Sequence, residues 1–130
     1  MSNLRLLRVP EDLRNNMADW AVRIAVGLIF MLVGTEKFND QPGSEWVRIF
    51  LQIGWGDWFR YATGVVEAVG GLAVFLPWTA LLGYMLLACT MAGAALIHAF
   101  VLRDGGVAVV PMILCAILSG LAFHRYWEGN

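Results

Sequence analysis

A chain of 130 residues has room for one domain, and with 59% hydrophobic residues and a mean hydropathy of +0.66 it carries more apolar surface than a soluble domain of that size buries. Ten acidic and nine basic residues leave a net charge of −1, which excludes the basic footprint of a nucleic-acid-binding protein. The two cysteines, Cys89 and Cys115, stand alone in apolar runs without zinc-type spacing.

The excess apolar surface must face something other than water, and most charges crowd into short stretches between long apolar runs, as a bilayer imposes. A hydrocarbon core about 30 Å thick takes roughly 20 helical residues to cross, at about 1.5 Å each. Four segments meet that length. The first runs from about Trp20 to Phe38. Arg23 lies near one end, with Glu36 and Lys37 near the other, where long side chains can snorkel to the interface. A charged lead of some twenty residues precedes it and no small-residue cleavage motif follows, so it is predicted to be a retained helix and not a signal peptide.

The connection from Asn39 to Arg60 mixes Trp46, Val47, Ile49, Phe50, Ile53, Trp55, Trp58 and Phe59 with Arg48, Gln52 and Asp57. That mixture suits an interfacial helix lying on the membrane; a loop with tryptophans at headgroup depth is the alternative. The second long segment runs from about Tyr61 to Trp78, closed by Pro77. A third runs from about Thr79 to Leu102, ending in the turn Arg103-Asp104-Gly105-Gly106. The fourth runs from about Val107 to Phe123, with Pro111 in its first turns, where missing donors matter least.

Short turns force successive helices to be antiparallel neighbours. The predicted architecture is therefore an all-α, integral membrane four-helix bundle, threaded up-down-up-down as one domain over 1–130. Small residues four apart, Gly64 and Ala68, Ala88 and Ala92, Ala116 and Gly120, would let backbones approach in lipid. Arg5, Arg8, Arg14, Arg23 and Arg125 fall on one side, against Lys37, Arg48, Arg60 and Arg103 on the other, which favours both termini in the cytoplasm. Arg23-x-Ala-x-Gly27 opens the first helix and Arg60-x-Ala-x-Gly64 the second, with Gly34 and Gly71 extending the register. In antiparallel helices a shared pattern of this kind reads as an inverted repeat, and any helix start at an interface is the plainer source of it.

Threading also assigns depth. Glu36 and Lys37 end the first helix, Glu67 lies about two turns into the second from that side, and His98 about one turn before the third returns there. Glycines and alanines flank Glu67 and His98 at helical spacing, so both face packed helices, where an unpaired charge is costly. Lys37 is the natural partner of Glu67 or Glu36. Together the four predict a polar pocket within the bundle; the plainer reading is that each merely cross-links helices. Haem between histidines is excluded, because His98 and His124 fall on opposite sides of the membrane. A metal on Glu36, Glu67 and His98 lacks any spacing motif, so no metal is expected. Cys89 and Cys115, mid-helix in hydrocarbon, read as small apolar fillers.

Several of these residues resemble the DoxX-like membrane proteins: Arg23-x-x-x-Gly27-Leu-Ile-Phe, Gly34-x-x-Lys37-Phe38, Gly64-x-x-Glu67-x-x-Gly70-Gly71, and Met91-Ala92-Gly93-Ala94 leading to His98. The resemblance implies a four-helix membrane bundle with Lys37, Glu67 and His98 as recurring polar positions. It also implies association with quinone or thiosulfate redox chemistry, as at most an oxidoreductase subunit dependent on a partner. The leading expectation is a redox-associated protein of a bacterial-type inner membrane that binds a quinone-like or lipid-like molecule through Lys37, Glu67, His98 and Glu36. Membrane lipids, a redox protein and a second copy are its expected partners. The first alternative is a scaffold docking a partner through Trp46, Trp55 and Trp58; the second is a small transporter subunit.

Overall fold

The computed structural model describes residues 16–128, so Arg5, Arg8 and Arg14 of the orientation count lie outside the described residues. Among the described residues five helices follow one another: α1 (Met17–Glu36), α2 (Glu45–Ile53), α3 (Asp57–Phe75), α4 (Ala80–Leu96) and α5 (Gly105–Glu128). A π-helical turn at Ile97–Val101 continues α4. Among the described residues there is no strand. Three stretches of the described residues, α1, α4 with its π turn, and α5, are long and apolar enough to cross a membrane. The 19 residues of α3 include Asp57, Arg60 and Glu67, which lower its apolar content.

Local chemistry sets the helix ends. The Asn16 side chain accepts from the Ala18 amide at 2.8 Å and opens α1. Gly54 closes α2 at φ 80°, a left-handed cap that favours glycine. The second long helix stops at Phe75, three residues short of the boundary read from the sequence. Leu76, preceding Pro77, is pushed into an extended conformation (ψ 124°) by the proline ring. At its other end this helix begins at Asp57, taking in the aromatic stretch Trp58–Phe59. Helix α5 runs past Phe123 to Glu128 and carries Pro111 within its second turn.

The connection from Asn39 to Arg60 does contain a helix, and its pattern explains its placement. Trp46, Ile49, Phe50 and Ile53, at positions i, i+3, i+4 and i+7, form one apolar face, with Arg48, Leu51 and Gln52 outward. The apolar face turns into the protein: Phe50 and Ile53 are buried, and the Phe50 and Phe59 rings meet at a centroid distance of 5.6 Å.

The long helices pack pairwise, α1 on α3, α3 on α4, and α4 on α5, whereas α1 and α5 do not pack along their length. Glycine decides the first two contacts. A Cβ on Gly34 would sit 2.7 Å from both the Ala68 nitrogen and the Gly64 carbonyl oxygen, and one on Gly71 would sit 2.7 Å from the Gly27 carbonyl oxygen. A Cβ on Gly83 would likewise meet the Val74 nitrogen at 2.7 Å. Val74, Leu81, Tyr84, Leu87, Met91 and Leu118 form the core between α3, α4 and α5. Of the three predicted small-residue pairs, Gly64 and Ala68 lie in such a contact, while Ala116 and Gly120 face outward. Spacing alone does not distinguish an inner from an outer face. Cys89 is likewise exposed and Cys115 partly buried, so only Cys115 packs against the core.

The repeated Arg-x-Ala-x-Gly pattern corresponds to a physical symmetry. Gly27 meets Gly71 while Gly64 meets Gly34, so equivalent positions of the two helices exchange roles across the α1–α3 contact. The arginines follow suit. Arg23 donates from NH1 to the Phe75 carbonyl at the end of α3 at 2.5 Å, and Arg60 donates from NH1 to the Lys37 carbonyl at the end of α1 at 2.7 Å. Each therefore satisfies orphan carbonyls at the other helix's terminus and complements its dipole. Neither arginine snorkels, as the sequence suggests for Arg23; both are buried.

Because the Gly34 and Gly71 contacts are to backbone, which cannot swing aside, Gly34→Val or Gly71→Val should lower stability by about 1–3 kcal/mol or more in detergent-solubilised unfolding. Gly93→Ala, where a Cβ inside the helix meets nothing within 4 Å, should instead leave it unchanged or raise it by up to about 1 kcal/mol.

Candidate functional site

Lys37 is the residue after α1, and its backbone amide still bonds to the Gly34 carbonyl. That helical geometry turns its side chain inward, toward Glu67 on the antiparallel α3. Lys37 Nζ lies 2.5 Å from Glu67 Oε2, with side-chain exposures of only 4% and 3%. An ion pair this dry pays a desolvation penalty on both charges, offset only by mutual attraction and further favourable contacts. One such contact is visible: Lys37 Nζ stands over the Trp46 ring, 4.1 Å from its centroid. Trp46 thus belongs to the interior site, while Trp55 and Trp58 remain exposed.

The backbone around Lys37 is fixed from α3. Arg60 donates to the carbonyls of Lys37 and Asn39 at 2.7 and 2.9 Å and pairs through NH2 with Asp40 at 2.8 Å. The Tyr61 hydroxyl also donates to Asp40, and the Tyr61 and Phe38 rings stack at 5.6 Å. Asp40 is itself largely exposed, and the Tyr61 and Arg60 hydrogen bonds hold its carboxyl below the usual carboxylate range.

A cavity of about 680 Å³ lies beside the ion pair, walled by α1, α2, α3, α4 and α5. Lys37, Trp46, Glu67 and His98 all line it; the remaining wall is mostly apolar, with Thr63 and Thr90 among the polar exceptions. His98 sits in the π-helical turn, a helix irregularity frequent at functional sites. Its Nδ1 is buried without a hydrogen-bond partner, so it is left able to bond a guest. Three of the four polar residues picked from the sequence therefore meet in one cavity. Glu36 does not: one residue before Lys37, it is turned roughly 100° around the helix and is exposed. Among the described residues no three His, Cys, Asp or Glu side chains cluster as a metal site.

Sequence reasoning missed Arg60 and Asp40, the pair that anchors the Lys37 backbone. The signal was present in the repeat, where Arg60 stands in the register of Arg23. It also missed a second buried cluster at the opposite end. There Asp19 accepts from Arg23 Nε at 3.0 Å and from Arg125 NH1 at 2.9 Å, and Arg125 NH2 donates to the Pro77 carbonyl at 2.7 Å. Asp19 and Arg125 are 106 positions apart, and no local pattern couples them.

A bundle of apolar, membrane-length helices enclosing a dry ion pair beside a cavity defines a class of helical membrane-type proteins with an internal polar site. The chain belongs to the DoxX-like family, whose model matches residues 21–121. It is 30% identical over 73 residues, 56% of this chain and 53% of the relative, to a protein of Bacillus subtilis (strain 168) named "Putative oxidoreductase CatD". The chain thus spans about half the length of that curated relative. No solved structure matches. Family and apolar helices together fit an integral membrane protein.

Removing one member of the dry pair strands the other, so Lys37→Met or Glu67→Leu alone should cost about 3–5 kcal/mol in unfolding measurements. The double variant should cost clearly less than the sum, and additivity would show that the two do not act as a pair. For Asp40 the folded-state carboxyl titrates lower than the unfolded one, so its contribution is present above the unfolded value and disappears as pH falls through the folded value. Proteolytic nicking of segment 38–44 should therefore rise on acidification, and Asp40→Asn should show the raised level already at neutral pH.

Proposed function

We propose that the protein is an integral component of a bacterial-type inner membrane that binds a quinone-like or lipid-like amphipathic molecule in the cavity beside Lys37 and Glu67. In this reading α1, α3, α4 and α5 all cross the bilayer in up-down-up-down order, with both termini cytoplasmic, and α2 lies at the interface over the cavity's end. The single observation that carries the reading is a buried His98 Nδ1 without a partner, lining the same cavity as a mutually satisfied Lys37–Glu67 pair.

The chemistry follows from what each group has left to offer. Lys37 and Glu67 neutralise one another, so the site as a whole suits a neutral guest. Lys37 retains donor capacity toward a ring oxygen, because an ammonium has three N–H groups. His98 supplies a second hydrogen bond, and Glu67 holds Lys37 in place and offers a proton relay. The apolar remainder of the wall suits a ring and chain. A volume of about 680 Å³ falls within the roughly 300–1,000 Å³ typical of small-molecule sites. The printed name of the Bacillus relative supports a redox setting. In that setting electrons come from a partner protein, for which the exposed Trp55 and Trp58 offer a docking surface.

The test is binding of a benzoquinone carrying a short alkyl tail to protein in lipid nanodiscs. His98→Ala should weaken it by about tenfold or more, the equivalent of about 1.4 kcal/mol. Affinity indistinguishable from wild type would refute the assignment of His98.

A further inference from the structure

The cavity lies between two helices that do not pack on each other. From α1 it is lined by Ile29, Phe30 and Val33, and from α5 by Val107, Val110 and Leu114 among others. Yet α1 and α5 share no packed length. They are tied at the far end, where Arg125 on α5 pairs with Asp19 on α1 at 2.9 Å. Toward the Lys37 end the space between them is the cavity itself.

Two residues on opposite lips of this gap both line the cavity and remain open on the surface: Ile29 is 55% exposed and Val110 59%. A side chain that does both marks an opening. Above it, α2 turns Trp46, Ile49, Phe50 and Ile53 into the same cavity. The open side is walled by branched aliphatic side chains, whereas the polar groups Lys37, Glu67 and His98 sit within.

Resting on the reading of the cavity as an amphiphile site, we propose that the gap between α1 and α5 is a lateral portal through which the ligand arrives from the bilayer. Its occupant is a single-tailed amphiphile whose polar head reaches Lys37 and His98 while its apolar tail lies in the gap between Ile29 and Val110. Continuity of the gap with the polar end favours one molecule spanning both. Its volume exceeds what one substituted ring needs, leaving room for the first part of a tail. Pinning by Asp19–Arg125 keeps the far ends together, so the portal does not require the helices to separate as a whole.

The test compares two probes in nanodiscs, a benzoquinone with a ten-carbon tail and the same ring with a methyl group instead. Val110→Trp should weaken binding of the tailed probe tenfold or more and that of the tail-less ring less than threefold. Val109→Trp, on an exposed face outside the cavity lining, should alter neither. A second measurement covers the case in which the tryptophan variant fails to fold: on wild-type protein, a quinone with a diazirine at its tail end should label α1 and α5 near Ile29, Val33 and Val110. Labelling confined to the outer faces of α3 and α4 would overturn the portal, as would an unchanged tailed-probe affinity in folded Val110→Trp. If wild-type protein binds neither probe, the amphiphile site itself fails, and the portal with it; binding of both without the tail-dependent loss removes the portal alone.

Discussion

Backbone-to-backbone contact between α1 and α3 governs everything that follows. With Gly34 against Gly64 and Ala68, and Gly27 against Gly71, the two helices approach more closely than any Cβ would permit. In an apolar setting, where burial supplies little drive, such proximity gains dispersion along the whole contact. It also shortens the reach between side chains. Lys37, one residue beyond the end of α1, and Glu67, within α3, meet at 2.5 Å only because the helices are already in contact one turn away.

The pseudo-twofold relation between α1 and α3 makes the site's asymmetry informative. Adding the 37-residue offset between Arg23 and Arg60, Phe30 takes the place of Glu67, and Val74 that of Lys37. Phe30 and Val74 are buried in the apolar core, and their symmetric counterparts form a dry ion pair. The same helix geometry therefore supports two different chemistries. A buried pair is weak support for stability, because two well-packed apolar residues do as well or better. The Phe30 and Val74 end demonstrates that the fold supplies such an alternative, so retaining charge at the other end points to a use for it.

His98 complements that pair from within the same cavity. Its π-helical turn shifts the helical register near the end of α4, and its Nδ1 is left buried without a partner. A guest that supplies the missing bond would convert an uncompensated polar group into a satisfied one, which is a source of selectivity as much as of affinity.

Much of this was legible along the chain. Apolar run length marked the long helices, proline and glycine marked their ends, and the cost of charge in hydrocarbon singled out Lys37, Glu67 and His98. The Arg-x-Ala-x-Gly repeat was visible too, but its meaning was not, because capping of each helix by the other's arginine exists only once they are antiparallel and in contact. Helical facing separates Glu36 from its neighbour Lys37, and the inward turn of α2 makes Trp46 part of the cavity; both depend on where neighbouring helices stand. The pairing of Asp19 with Arg125, 106 positions apart, and the gap left between α1 and α5 both depend on side chains far apart in the chain. Periodicity and transfer cost act locally and leave their mark in the order of residues. Which faces meet, and which are left apart, is a property of the packed helices together.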